Sequence, residues 1–170
     1  MKETCLHLPF TSQVIESLKV GDKLLLSGKL LTARDAAHKR LVELLDSGEP
    51  LPVDLSQYPI YYCGPTPAKA GFPIGACGPT TSGRMDIYVK QLFGAGMRVM
   101  IGKGERNADV KEQIGLHKGL YLIAIGGAGA LYGQCVKSCK CVAFEDLGAE
   151  AIYELDVENF PCYVGLVREL

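Results

Sequence analysis

The sequence predicts a single α/β domain with a mixed sheet, covering residues 1–170. A chain of 170 residues has the usual length of one domain, and 48% of its residues are hydrophobic, so we expect a well-filled core. The first part of the chain is rich in strand-like segments, and the later part alternates strand-like with helix-like segments. This order is typical of α/β domains with a mixed sheet.

The pattern of apolar residues predicts the individual elements. Strands are predicted at residues 3–8, 23–31, 59–63, 98–101, 120–125, 139–144, 152–157 and 162–167. Helices are predicted at residues 11–18, 34–46, 82–92, 108–116 and 127–136. In the helix at 34–46, Leu41, Leu44 and Leu45 fall on one apolar stripe.

A turn rich in hydroxyl side chains leads into the predicted helix at 82–92. Its residues are Gly78-Pro79-Thr80-Thr81-Ser82-Gly83-Arg84-Met85-Asp86. The threonines and the serine are typical N-cap residues, and the free N–H groups of the following helix would point into the turn. Arg84 adds a planar guanidinium suited to a carboxylate or a phosphate. The segment predicts an anion-binding turn, with a purely structural helix cap as the alternative.

Two further cations stand where predicted strands end. Arg34 lies between a predicted strand and a helix, and Lys103 lies between Gly102 and Gly104. A site for a small dianion needs backbone N–H groups and cationic side chains close to the ligand. Turns that contain glycine allow the backbone to come this close. Each cation alone is typical of a solvated surface, but together with Arg84 they predict a site for a small dianion.

Several motifs of this chain occur in the same order in a known family. They are Ala33-Arg34-Asp35-(two residues)-His38, Cys63-Gly64-Pro65-Thr66-Pro67, the turn at 78–86, Gly102-Lys103-Gly104 and Phe144-Glu145-Asp146-Leu147-Gly148. Through them the chain resembles, over essentially its whole length, the C-terminal domain of class I, iron-sulfur-dependent fumarases and the separate beta subunit of two-subunit versions. The L-tartrate dehydratase beta subunit is also similar through Gly-Pro-Thr-Thr-Ser. Gly83 and Asp86, with the Gly-Pro-Thr-Pro segment, point to fumarase.

The resemblance implies a fold, a reaction and a partner. The fold is the swivelling β/β/α type, and the reaction is that of a hydro-lyase interconverting fumarate and L-malate. In the family a 4Fe-4S cluster acts as Lewis acid for the hydroxyl, so the resemblance implies a cluster carried by an alpha subunit and none bound by this chain. The implied assembly is a hetero-oligomer with that alpha subunit, or a homodimer of this chain when it is alone, and the implied ligand is a dicarboxylate.

The motif match also implies roles for particular residues. Thr80 would be the catalytic base, while Arg34, Arg84, Lys103 and Thr81 would bind the substrate. A threonine hydroxyl is a weak base, so nearby cations, a dry site and a carboxylate from the other subunit would have to assist it. A helix N-cap is the structural alternative for both threonines.

Two further residues of the quoted motifs, His38 and Asp86, are expected to have structural roles. His38 either orients the loop that carries Arg34 or packs within its own helix. Asp86 is expected to pair with a nearby base or to cap its turn, without performing chemistry.

Two other functions stay open at this point. The chain could serve as the beta subunit of a dehydratase for L-tartrate or another hydroxyacid, or as a non-catalytic anion-binding module. A neighbouring gene for a cysteine-bearing alpha subunit would support an enzyme, and its absence would support the module.

Charge and hydropathy exclude other kinds of partner. The formal net charge is −1 with both signs interspersed, which argues against nucleic-acid binding. Residues 1–8 include an acid and a histidine where a signal peptide would need an apolar run, and the uncharged stretch at 119–136 is interrupted by glycines, unlike a membrane span. We therefore expect a cytoplasmic protein without a nucleic-acid or membrane partner.

Three of the seven cysteines lie close together in the sequence. Cys135, Cys139 and Cys141 have neither the spacing of a zinc knuckle nor that of a ferredoxin. Cys139 and Cys141 alternate with other residues of a predicted strand and would face the same side. In a reducing compartment such cysteines behave as small buried hydrophobic residues, which is the role we predict for them in preference to metal binding.

Two glycine motifs resemble nucleotide-binding loops only in part. Gly126-Gly127-Ala128-Gly129-Ala130 does not complete a G-x-G-x-x-G motif, so we predict a tight packing turn. The Gly102-Lys103-Gly104 segment lacks the first glycine and the following Ser or Thr of a P-loop. Nucleotide binding is not predicted.

Overall fold

One mixed sheet organises the molecule, which is described here by a computed structural model for residues 3–168. The strands are β1 (Glu3–His7), β2 (Lys23–Thr32), β3 (Ile60–Tyr61), β4 (Val99–Gly102), β5 (Leu120–Ile123), β6 (Val136–Ala143) and β7 (Ile152–Val167). The helices are α1 (Ser12–Ser17), α2 (Asp35–Asp46), α3 (Asp86–Gly94), α4 (Ala108–His117) and α5 (Gly129–Cys135). Short 3₁₀ helices form at Ser82–Met85 and Glu145–Glu150. The predicted α/β class with a mixed sheet is confirmed.

Strands β1 to β5 run parallel to one another, and β7 runs antiparallel to its three neighbours β2, β5 and β6. Because β7 pairs with both β2 and β5, the strands β2, β3, β4, β5 and β7 close into a ring. The first half of β7 pairs with the second half of β2, as at Leu30 and Leu155, and Tyr163 near its other end reaches Ile123 of β5. β1 and β6 extend the sheet outside the ring.

The sequence predicted two strands where the structure has the single strand β7, and that prediction is wrong. Asn159 and Pro161 look like a strand break in the sequence. In the structure Asn159 adopts a φ of 53°, a left-handed conformation that asparagine tolerates better than most residues, and the strand continues through it. The predicted helix at 82–92 also begins differently, since its first turn is the 3₁₀ helix Ser82–Met85.

The core lies on both faces of the ring because side chains alternate along each strand. One cluster includes Tyr61, Tyr132 and Phe160, which are fully buried. The other packs the opposite face of the sheet against α2, α3 and α4, with Leu41 and Phe93 among its members. Within the described residues, no helix is both long and apolar enough to cross a membrane.

Candidate functional site

The loops that leave β2, β3 and β4 emerge side by side at one end of the sheet. These strands are adjacent and parallel, so their carboxyl ends share that end. Arg34 follows β2, Gly64 lies just beyond β3, and Lys103 follows β4. Loops at this end of a parallel sheet commonly bind ligands because they converge there. The structure therefore brings two of the predicted cations to one end of the sheet.

The threonine turn lies between the extensions of β3 and β4. The backbone N–H of Thr80 donates to the carbonyl of Tyr62 at 2.6 Å, and that of Ser82 donates to the carbonyl of Lys103 at 2.9 Å. Thr81 forms a parallel bridge with Lys103. These bonds place Thr81 beside Lys103 and Thr80 beside Tyr62, with Thr80 half-buried and Thr81 exposed.

The turn is anchored at the point where the chain returns from β3. Thr66 and Ala76 exchange hydrogen bonds of 2.7 and 3.0 Å, so the loop between them closes on itself. The Sγ atoms of Cys63 and Cys77 lie 3.0 Å apart in the core. The N–H of Cys77 donates to the carbonyl of Gly129 at 2.9 Å, and this close contact agrees with the packing turn predicted for the glycine motif.

The side-chain cap considered for the turn does not form. Thr81 occupies the N-cap position of the 3₁₀ helix Ser82–Met85 and makes no side-chain cap hydrogen bond. The hydroxyl of Ser82 instead donates to the hydroxyl of Tyr121 at 2.9 Å, and Tyr121 donates in turn to the carbonyl of Gly104 at 2.8 Å. Capping therefore does not account for the hydroxyl groups of this turn.

Arg34 and Arg84 meet at Asp35. Arg84 donates from Nε and Nη2 to the two carboxylate oxygens of Asp35, at 2.9 and 2.7 Å. Arg34 Nη2 lies 3.8 Å from the same carboxylate, and Arg34 Nε lies 3.8 Å from Glu150. Arg34 Nε is buried and has no hydrogen-bond partner among the described residues. The Nη1 group of Arg84 takes no part in the Asp35 pair, so a second carboxylate can approach that end of the guanidinium.

Glycines give the cationic side chains room. A Cβ atom on Gly64 would lie 2.8 Å from Cδ and 3.1 Å from Nη1 of Arg34. A Cβ atom on Gly126 would lie 3.4 Å from Cδ of Lys103, so this contact is looser. The glycine of the Gly-Pro-Thr-Pro segment is therefore explained by the close approach of Arg34.

A buried ion pair lies beneath the turn and the Lys103 loop. Arg106 Nε donates to Asp86 at 2.7 Å, which confirms the expectation that Asp86 pairs with a nearby base. The other carboxylate oxygen of Asp86 accepts the N–H of Asn107 at 2.9 Å. The guanidinium of Arg106 lies 5.3 Å and 4.8 Å from the ring centroids of Tyr62 and Tyr121, and Nη2 donates to the Tyr62 hydroxyl at 3.2 Å.

His38 fixes the backbone at Arg34. Its Nδ1–H donates to the carbonyl of Arg34 at 2.8 Å, and its ring meets the edge of Tyr62 at 5.2 Å between centroids. The side chain is fully buried, and Nε2 has no hydrogen-bond partner among the described residues. Burial lowers the pKa of His38 to about 4, so the imidazole is neutral at pH 7. His38 thus both packs in its helix and orients the Arg34 loop.

We expect stability to fall in acid through His38. Its pKa is lower when folded, about 4, than the ordinary value of 6.5, so the unfolded chain binds the extra proton. The free energy of unfolding should therefore decrease as the pH falls from 6.5 to 4, by up to about 3 kcal/mol from this group. Urea unfolding across this range should show a shallower loss in His38→Asn, which keeps a donor but does not titrate. An equal loss in both proteins would assign it to other groups.

The cysteines do not form a metal site in residues 3–168, where no three His, Cys, Asp or Glu side chains are grouped to hold a metal ion. Cys135 and Cys139 are partly buried and pack against the core, in agreement with their predicted role as small hydrophobic residues. Cys141 is also partly buried, with its Sγ atom 3.7 Å from the carbonyl of Ala143. Four grouped cysteine thiolates normally hold a 4Fe-4S cluster. The cysteines of residues 3–168 are not grouped in this way, so they do not fit such a cluster.

Two clefts lie away from the predicted site residues. One, of about 550 Å³, lies between the loop at 66–76 and α5. The other, of about 450 Å³, lies near Arg98 at the amino end of β4. Neither is lined by Thr80 or by the predicted cations. The Arg84 side chain is 51% exposed, so the candidate site faces solvent.

Comparison with known proteins supports the resemblance. A family model described as Fumarase C-terminus matches residues 1–168. The chain belongs to this family. The match covers every residue that the predicted site uses, but it does not test their roles, which stay predictions.

Similar proteins are named either fumarate hydratase or L(+)-tartrate dehydratase subunit beta. The chain is 44% identical over 147 residues to Fumarate hydratase class I, anaerobic, of Escherichia coli, covering 85% of this chain and 27% of that protein. It is 40% identical over 160 residues to Fumarate hydratase 1, mitochondrial, of Leishmania major, covering 92% of this chain and 29% of that protein. It is 38% identical over 155 residues to a Methanocaldococcus jannaschii protein provisionally named L(+)-tartrate dehydratase subunit beta, covering 88% and 80%. The chain thus spans under a third of these fumarate hydratases but most of the tartrate protein.

Sequence reasoning overlooked the partners of the site residues. Asp35 stands beside Arg34 in a quoted motif, and Arg106 follows the Gly102-Lys103-Gly104 segment, yet neither was assigned to the site. Two features of the sequence could have indicated them: Asp35 directly follows Arg34, and Arg106 lies three residues after Lys103.

Proposed function

We propose that this chain is the beta subunit of a two-subunit class I fumarate hydratase, a hydro-lyase that interconverts fumarate and L-malate. The observation that carries the proposal is the convergence of the predicted cations and the threonine turn at one end of the sheet, in a chain that belongs to the Fumarase C-terminus family. The site faces solvent, so a second subunit would have to close it and exclude water. We propose that this partner is an alpha subunit carrying a 4Fe-4S cluster, and that both subunits form a hetero-oligomer.

Each residue at the end of the sheet has a proposed task. Arg34, Arg84 and Lys103 bind the two carboxylates of the substrate, for which guanidinium forks and an ammonium are suited. Thr81, exposed beside Lys103, adds a hydroxyl donor. Thr80 takes the proton from the malate carbon and returns it to fumarate in the reverse direction. Positive charge from cations beside the turn would favour the deprotonated form of the Thr80 hydroxyl.

We propose fumarate and not tartrate as the substrate for two reasons. The identities to the fumarate hydratases, 44% and 40%, exceed the 38% to the tartrate protein. Gly83 and Asp86 also follow the fumarase pattern of the turn. One observation favours the tartrate alternative: the chain covers 80% of that beta subunit.

The test is reconstitution with the cysteine-bearing alpha subunit under anaerobic conditions. We expect the two chains together to hydrate fumarate, and this chain alone to be inactive and colourless. Faster turnover of tartrate than of fumarate or mesaconate would favour the dehydratase alternative. Binding of dicarboxylates by this chain without turnover in the complex would favour the non-catalytic module, and sedimentation of each chain and of the mixture would report the assembly.

A further inference from the structure

We infer that Arg106 is a positioning residue for the candidate site, because it holds the Lys103 loop against the threonine turn. Its effect on turnover rests on the proposed function, whereas its effect on the two segments does not. Arg106 follows Lys103 on the same loop, and its partner Asp86 follows Arg84 at the start of α3. One ion pair therefore joins the segments that carry two of the predicted substrate cations.

The contacts of Arg106 are directional and reach several elements. Nε donates to Asp86, Nη2 donates to Tyr62 beyond β3, and Nη1 lies 3.5 Å from the sulfur of Met100 in β4. The guanidinium also lies over the ring of Tyr121 in β5. Only a planar group with donors on separate edges satisfies these partners at once, which a lysine ammonium cannot do.

The same region contains a second clamp between the two segments. Tyr121 donates to the carbonyl of Gly104 and accepts from the hydroxyl of Ser82, so it joins the Lys103 loop to the turn. Burial raises the pKa of Tyr121, which keeps its hydroxyl as a donor. The guanidinium of Arg106 lies 4.8 Å from the centroid of the Tyr121 ring. The Arg106–Asp86 ion pair and the hydrogen bonds of Tyr121 therefore stabilise the same two segments.

Stability alone does not explain a charged side chain here. The side chain of Arg106 is fully buried and that of Asp86 nearly so, and removing two charges from water is costly. Replacing both partners of such a buried ion pair with apolar residues of similar volume is often neutral or stabilising. What an apolar residue lacks is the fixed geometry between Asp86, Tyr62 and Tyr121. Together with the backbone bridge between Thr81 and Lys103, that geometry holds the Lys103 loop against the threonine turn.

The first arm of the test uses this chain alone and measures amide hydrogen exchange. Arg106→Met leaves the buried carboxylate of Asp86 unpaired, so the whole chain should lose stability. We expect exchange at residues 80–86 and 103–107 to speed about tenfold or more beyond the change seen in β1 and β7. Arg106→Lys should be intermediate. The matched control is Arg98→Met, because Arg98 donates to backbone carbonyls of Phe93 and Met97 at the opposite end of β4. This control should leave exchange at both segments unchanged.

The second arm uses the reconstituted complex and fumarate. We expect Arg106→Met to lower kcat about 10²-fold per folded molecule and to raise KM, because both Thr80 and Lys103 are displaced. Arg98→Met should keep both constants. A purely structural role would reduce only the amount of folded enzyme and leave KM unchanged.

The outcomes separate this inference from the proposed function. If the wild-type complex fails to hydrate fumarate, the proposed function fails, and the exchange data still decide the role of Arg106. Exchange at both segments of Arg106→Met that speeds no more than in β1 and β7, or unchanged kcat and KM in an active complex, would overturn the inference. If the methionine variant does not fold, Arg106→Lys carries both arms under the same criteria.

Discussion

Replacing Thr80 with valine is expected to lower kcat of the reconstituted enzyme by about 10²–10⁴-fold, the usual contribution of a general base. Valine keeps the shape of threonine but lacks its hydroxyl. The backbone N–H that Thr80 donates to Tyr62 is unaffected by this change, and the side chain makes no helix cap. The melting temperature should therefore stay close to that of the wild-type chain.

Thr80→Ser is the matched control, since it retains a hydroxyl at the same position and should keep measurable turnover. Both variants need a partner subunit with an intact cluster, because cluster loss would mimic loss of the base. If the valine variant folds poorly yet turns over normally once folded, Thr80 is a structural residue and the proposed base must be found elsewhere.

Replacing Arg34 with lysine is expected to lower kcat/KM for fumarate by about 10–10²-fold. A hydrogen bond to a charged group contributes about 1.5–3 kcal/mol, and each 1.4 kcal/mol corresponds to a factor of ten. Arg34 lies closely against Gly64, and its side chain is 27% exposed, so part of the guanidinium remains open to a ligand. A lysine ammonium cannot reproduce the two-point contact with a carboxylate.

Arg40→Lys provides a control on α2, the helix that follows Arg34. Arg40 donates to both carboxylate oxygens of Asp146, at 2.7 and 2.9 Å, in an exposed pair outside the predicted site. Exposed pairs contribute little to stability, so this variant should keep kcat/KM and unfold nearly as the wild type does. Wild-type kcat/KM in Arg34→Lys would show that Arg34 is not a carboxylate ligand.

The local pattern of the sequence was sufficient to predict most elements, because apolar runs and helical stripes are properties of neighbouring residues. β7 was missed because its continuity is decided by distant partners. Asn159 and Pro161 have the composition of a turn, but pairing of Pro161 with Leu25 and of Phe160 with Leu26 continues the strand. The closed ring of strands follows from this pairing, and no local pattern indicates it.

The candidate site was predicted as far as it depends on residue type and position at a strand end. Arg34 and Lys103 satisfy both conditions, and the structure places them at the same end of the sheet. Their environment was not predictable, because it is made by side chains from separate segments. Asp35 pairs with Arg84, which is distant in the sequence. The hydroxyl of Ser82 donates to Tyr121 and does not cap a helix.

β7 joins β2 from far along the chain, as the pairing of Leu24 with Cys162 shows. Contacts between residues so distant in sequence form slowly, because the entropy of closing the intervening chain must be overcome first. Before β7 pairs, β2 and β5 each present an edge with unpaired N–H and C=O groups that other chains can join. Ring closure is therefore the expected slow step of folding, and chains waiting for it are the expected source of aggregation.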